Sequence, residues 1–147
     1  MAANTQFSIA VHALTVLALR MPEFVTSDEI AESINTNPVI VRRILGCLHH
    51  AGLVESRLGK HGGSKLSLEG NKITLFDIYQ AVECDGLFAF HAKPENRSCT
   101  VSCSMRATME DVFGKTEKAV KGALSSITLE EILKPIKNRC ESRRKCN

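Results

Sequence analysis

The chain has 147 residues, 44% of them hydrophobic, and a formal net charge of +3. That is enough apolar material for one packed domain with an extra helix, and no apolar run approaches the ~20 residues of a membrane span. No basic leader with a cleavage site opens the chain, so export and membrane insertion are not expected and a cytoplasmic location is.

In chain order, the stretch from Thr5 to Arg20 is apolar nearly all round, with Ser8, His12 and Thr15 as its one polar stripe. It reads as a mostly buried helix, ended by Pro22, which disfavours helix at Met21. Thr26 and Glu29 have the spacing of a capping box, and Ile30, Ala31 and Ile34 share a face behind them, so a short second helix is expected. Asn37 and Pro38 are a good N-cap and first residue for a third. On it Val41, Ile44, Leu45 and Leu48 make a core face, with Val39, Arg42, Arg43, Gly46, His49 and His50 turned the other way. Gly52 suits the position just past its end.

Two short strands are expected next, Leu53 to Arg57 and Lys65 to Leu68, joined by a glycine-rich stretch. Thr74 is placed to cap a fourth helix in "ITLFDIYQAVE", and Gly86 to Ser98, which contains Pro94, reads as a loop or lid. From Val101 the spacing of Val101, Met105, Met109, Val112, Phe113, Thr116, Val120, Leu124 and Ile127 makes one continuous stripe. Such a helix runs to ~25 residues, or ~38 Å. Thr128 caps a last helix, "TLEEILKPI", before a basic tail expected to fray. The fold class is mainly α with a small β-hairpin.

Charge is unevenly placed. Arg42, Arg43, Arg57, Lys60 and Lys65 lie together with His49, His50 and His61, against the one acid Glu55. Helix, short helix, turn, helix and basic hairpin is the order of a winged helix-turn-helix. A helix fits the DNA major groove, and its first turn reaches base edges. Around Gly62 and Gly63, the side chains of Arg57, Lys60, His61 and Lys65 can approach phosphates closely, because glycine puts no side chain in the way. A plain surface hairpin is the bland alternative. A phosphate loop is not, since Gly59 is followed five residues later by Ser64 where a second glycine is needed.

Four segments then carry a resemblance: "SINTNPVIVRRIL", "GLVESRLGKHGGSKLSL", "ITLFDIYQAVE" and "LFAFHAKPENRSCTVSCSMRATMEDVF". Together they resemble the Rrf2-type bacterial winged-helix transcription regulators, the family of IscR, NsrR and CymR, and within it the YwnA-like branch. The resemblance implies a homodimer built on a long helix and bound to a palindromic operator in double-stranded DNA. It places the recognition helix on Thr36 through Arg43, with Thr36, Asn37, Val39, Arg42 and Arg43 facing DNA, and the wing on Arg57 through Ser64. Thr5, Gln6 and Ser8 match first-helix positions that touch the DNA backbone. Family wings commonly read Arg-Gly-x-x-Gly-Gly-Tyr; here Leu58 separates Arg57 from Gly59, and Ser64 stands in place of the Tyr.

The expected organisation is a winged helix-turn-helix domain over 1–84, a sensor or linker loop over 85–100, dimerisation helices over 101–138 and a basic tail over 139–147. The first three helices and the wing already make a compact unit. Val101, Met105, Met109, Val112, Phe113, Val120 and Leu124 are therefore left to bury against a second copy.

The six cysteines are Cys47, Cys84, Cys99, Cys103, Cys140 and Cys146. A reducing compartment makes free thiols, metal ligands or a redox switch better readings than disulfides. Arg97 and a following helix N-terminus favour a reactive thiolate at Cys99, and Cys103 is placed to resolve an oxidised sulfur. A thiol switch at these two is the preferred sensing hypothesis; inert packing is the bland one. Cluster-binding family members carry three cysteines at short spacing in this loop, and this chain has two, so no iron–sulfur cluster, other cofactor or metal site is expected. Zinc on Cys99, Cys103 and His91 is a looser option. With no triad, acid pair or nucleotide loop, no enzymatic activity is expected. The leading reading is a homodimeric DNA-binding repressor whose effector is unknown. Its alternatives are an iron–sulfur- or small-ligand-sensing regulator of the same fold, and a winged-helix protein-interaction module that does not bind DNA.

Overall fold

The computed structural model describes residues 5–82 and 87–145, the last four by backbone alone. Among the described residues, six α-helices and one two-stranded antiparallel sheet follow in order: α1 (Gln6–Arg20), α2 (Ser27–Ile34), α3 (Pro38–His50), β1 (Val54–Arg57), β2 (Gly63–Leu66), α4 (Leu75–Val82), α5 (Thr100–Ser125) and α6 (Leu129–Lys145). Cys84 and Cys146 lie outside the described residues. Among those described, no helix is long and apolar enough to cross a membrane.

Helix starts follow local chemistry. Thr26 Oγ1 accepts from the Glu29 N–H at 3.3 Å while Glu29 Oε2 accepts from the Thr26 N–H at 2.9 Å, the reciprocal bonds of a capping box. Those bonds from Thr26, first through its backbone N–H, together with nearby Arg20, hold the Glu29 carboxyl below its ordinary value. Asn35 takes the left-handed conformation at the end of α2, with φ 59°. Asn37 Oδ1 then accepts from the Val39 N–H at 2.8 Å and opens α3 at Pro38. The same capping pattern recurs at Thr74 with Asp77 and at Thr128 with Glu131.

The core lies where α1, α3, α4 and α6 meet. Leu14, Leu17, Ile44, Leu48, Ile78, Leu129 and Leu133 are all buried there. Helix α6 thus folds back onto the N-terminal unit, although the expected division placed it with α5. Two backbone bonds tie it down: Leu129 N–H to Ile73 O at 2.8 Å and Leu75 N–H to Ile127 O at 2.9 Å. The helix also runs through the expected tail to Lys145 despite Pro135 within it.

The second strand begins two residues before its expected start, because Arg57 pairs with Gly63 and Ser64 bridges to Val25. Val25 and Ser64 exchange backbone bonds of 2.9 and 2.8 Å. One extended residue before α2 therefore extends the sheet on its far side.

Helix α5 is different. It spans 26 residues and buries none of them. An isolated helix gains little from propensity alone, so most of its stability must come from packing of an apolar face.

Candidate nucleic-acid interface

The expected DNA contacts come mainly from two elements whose basic side chains are exposed: the start of α3 and the tip of the hairpin. The α3 core face is as expected, with Val41, Ile44, Leu45 and Leu48 buried, which turns Val39, Arg42 and Arg43 outward. Val39 is 63% exposed in the first turn of the helix, an apolar side chain left mostly open. The Oδ1 of Asn37 is engaged by the helix cap, leaving its amide donors to face out. Thr36 is half-buried just before it.

The two arginines differ. Arg42 donates to Asp28 Oδ1 at 3.2 Å and to Ser27 Oγ at 3.1 Å, on the first turn of α2. Arg43 has no carboxylate within ion-pair distance among the described residues. The same holds for Arg57 and Lys60 on the hairpin, and His61 beside them is exposed. Lys65 is engaged instead: its Nζ lies 3.3 Å from Glu55 Oε2 and 4.8 Å from the centre of the Phe24 ring. That pairing also neutralises the one acid of the basic stretch.

Two hairpin glycines answer to the fold as well as to the surface. A side chain at Gly62 would collide with the Arg57 carbonyl, and one at Gly63, where φ is +145°, would sit 2.5 Å from Val25 O. Gly59, with φ +102°, faces open space. The hairpin is also fixed to the helix: Nδ1 of His49 lies 3.1 Å from Val54 O. As a carbonyl can only accept, that nitrogen carries the proton. Nothing local to His49 in the sequence signals this link between α3 and β1.

At the start of α1, Thr5 is exposed, and the Ser8 hydroxyl donates to Thr5 O at 3.1 Å. Gln6 is half-buried.

The expected α5 stripe divides in two. Val101, Met105 and Val112 remain 63%, 48% and 46% exposed. Phe113 is instead covered by its own chain, its ring 4.8 Å from Phe88 and 5.0 Å from Phe90 of the preceding loop. Met109 is half-buried, Val120 lines a cleft against α4, and Leu124 packs on the core. The loop folds over α5 and forms with it a half-open pocket of about 420 Å³ lined by Phe90, His91, Cys99, Met105 and Met109 among others.

Cys99 is the N-cap residue of α5 and half-buried; Cys103, one turn on, is exposed. The Cys103 thiol lies 3.6 Å from Asn96 O and 3.8 Å from Arg97 O, carbonyls to which only the protonated sulfur can donate. Asn96 O also accepts from the Cys99 N–H at 3.0 Å, so both cysteines hang on one loop residue.

Comparison with known proteins points one way. Residues 3–135 match the family model Rrf2, described as an iron-dependent transcriptional regulator. The HTH-type transcriptional regulator YwnA of Bacillus subtilis is 34% identical over 131 residues, covering 88% of this chain and 96% of that protein. Among solved structures, IscR of T. potens superposes with a TM-score of 0.68 at 26% identity, covering 92% of this chain and 88% of that one. CymR, the global cysteine regulator of B. subtilis, superposes with a TM-score of 0.66 at 23% identity over 91% of this chain and 97% of its own, which bears on the fold alone. The described residues do not fit the metal that the family description implies. No three His, Cys, Asp or Glu side chains among them converge on one point. The Cys103 sulfur is turned to backbone carbonyls.

Proposed function

The chain belongs to the Rrf2 family of transcriptional regulators, and on that premise we propose that it is a DNA-binding repressor that grips a palindromic operator as a homodimer in the cytoplasm. The observation that carries the reading is that Arg43 on α3 and Arg57 and Lys60 on the wing, all exposed, have no carboxylate partner among the described residues. Arg43 and the amide of Asn37 are assigned to base edges, and Val39 to a thymine methyl group. Thr36 and Arg42 flank them on the same element. Arg57, Lys60 and His61 contact phosphate, and the backbone at Gly62 and Gly63 shapes the turn that presents them. Thr5, Gln6 and Ser8 touch the DNA backbone beside this face. Lys65 is a weaker contact, since Glu55 already holds it. Its relatives are transcriptional regulators, and we read the chain as a regulator and not an enzyme.

The organisation we assign is DNA recognition by residues 1–84, sensing by 85–100 and the dimer by 101–138, where α5 makes the contact and α6 braces the N-terminal core, with 139–147 as a basic end. Helix α5 supplies the dimer contact through Val101, Met105 and Val112, its exposed apolar side chains. A two-fold pair presents its recognition helices to half-sites one DNA turn apart, ~34 Å. Met105→Asp should convert the dimer to a monomer in sedimentation velocity, and a variant that still sediments as a dimer would move the interface elsewhere.

The sensing element is assigned to Cys99, with Cys103 as its resolving partner. Oxidation that joins one turn of α5 would shift the loop packed over Phe113, and with it the spacing of the two recognition helices. The test is fluorescence anisotropy on DNA from upstream of the chain's own coding region, reduced and peroxide-treated. Peroxide should release the wild type and leave Cys99→Ser bound. Equal sensitivity in both removes the thiol from the account but not the DNA site. A second reading rests on the half-open pocket of about 420 Å³ beside Cys99, which is large enough for a small apolar effector.

A further inference from the structure

Leu58 is 98% exposed, the most open of the exposed large apolar side chains among the described residues. A single exposed leucine is ordinary on a protein surface and needs no cause. This one is set apart by where it stands. It directly follows the last residue of β1, at the beginning of a five-residue turn. That turn is held in shape by a bond from the Gly62 N–H to Gly59 O at 2.9 Å and by the seating of Gly63 against the Val25 backbone. The leucine therefore projects from a stiff support. On the same hairpin Arg57 and Lys60 have no carboxylate partner among the described residues, and His61 is exposed.

An apolar residue on a hairpin that also carries exposed cations fits a partner that offers anions beside an apolar surface, and a DNA groove does so. Phosphates flank a DNA groove on either side, while its floor and sugar walls are largely apolar. Proteins that enter the minor groove use Arg or Lys for the rims and wedge a Leu, Ile or Phe against the base steps, bending the duplex. We propose that Leu58 is such a wedge: the tip of the wing enters the minor groove, Leu58 is buried against sugars and base steps, and Arg57 and Lys60 hold the flanking phosphates. The inference rests on the assignment of the wing to DNA and adds to it an uncharged contact that sets bending and step preference. A flexible pyrimidine–purine step should lie under the wing, since such steps deform at least cost.

The probe is a duplex chosen by the wild-type protein from a random-sequence pool, labelled at both ends. Leu58→Ala removes a side chain that is 98% exposed, so its melting temperature should equal that of the wild type. Its affinity should fall about a hundredfold, as expected for losing most of a buried leucine from each of the two wings. Energy transfer between the duplex ends should show a smaller bend, and the salt dependence of binding should be unchanged, because no charge is lost. Arg57→Ala should flatten the salt dependence. If Leu58→Ala matches the wild type in affinity and bend while Arg57→Ala binds more weakly, the wedge is wrong and the wing still meets DNA. If Arg57→Ala and Lys60→Ala both leave affinity and salt dependence intact, the wing does not touch DNA and the wedge falls with it.

Discussion

Replacing Gly63 by alanine should lower the melting temperature by roughly 6–12 °C and weaken DNA binding with it. At φ +145° the residue occupies backbone space that side-chain-bearing residues rarely enter, a strain of about 1–3 kcal/mol. The new Cβ would also lie 2.5 Å from Val25 O and 2.7 Å from its carbonyl carbon. Backbone cannot swing aside as a long side chain can, so the strand itself must move. Moving it breaks the paired bonds between Val25 and Ser64, which anchor the wing to the stretch that leads into α2. Gly59→Ala is the control. Its φ of +102° is also unfavourable, but a Cβ there meets open space. It should cost only the strain, about 1–2 kcal/mol. Equal melting temperatures for the two variants, measured by calorimetry, would show that the contact with Val25 does not hold the wing.

The second large effect is expected on recognition. Arg43→Ala should weaken binding to the operator roughly thirtyfold or more, because the dimer loses one base-reading arginine from each half-site, each worth about 1–3 kcal/mol. Arg42→Ala should cost less. Arg42 is already bound to Asp28 and Ser27 on α2, so its removal withdraws a side chain shared between protein and DNA. The exposed ion pair itself adds little to stability, about 0–1 kcal/mol. Anisotropy titrations of both variants on the same duplex check the order, and a greater loss at Arg42 would reverse the assignment of the two arginines.

Much of the fold was legible because it rests on local rules. Thr26 with Glu29, Asn37 with Pro38, and Thr74 and Thr128 each mark a helix start by residues a few positions apart. The α3 core face and the α5 stripe declare themselves by period. What could not be read depends on partners distant in sequence. Val25 is one extended residue, too short for any alternation, yet its bridge to Ser64 sets where β2 begins. The basic stretch was legible as a surface, but not that Glu55 and Phe24 would hold Lys65, nor that Asp28 would hold Arg42. The α5 stripe looked uniform, since nothing in its spacing tells that Phe88 and Phe90 would cover Phe113 while Val112 stays open. Leu129 and Leu133 look like any short amphipathic helix until α1 is seen beside them.

The most direct test of the central claim is the salt dependence of binding. Each phosphate contact contributes about −0.9 to the slope of log affinity against log salt. Arg57 and Lys60 from two protomers predict a slope of about −3 to −4, falling in magnitude by about two for Arg57→Ala in the dimer. A slope near zero, or one that both wing substitutions leave untouched, would contradict the claim that this face exists to hold DNA.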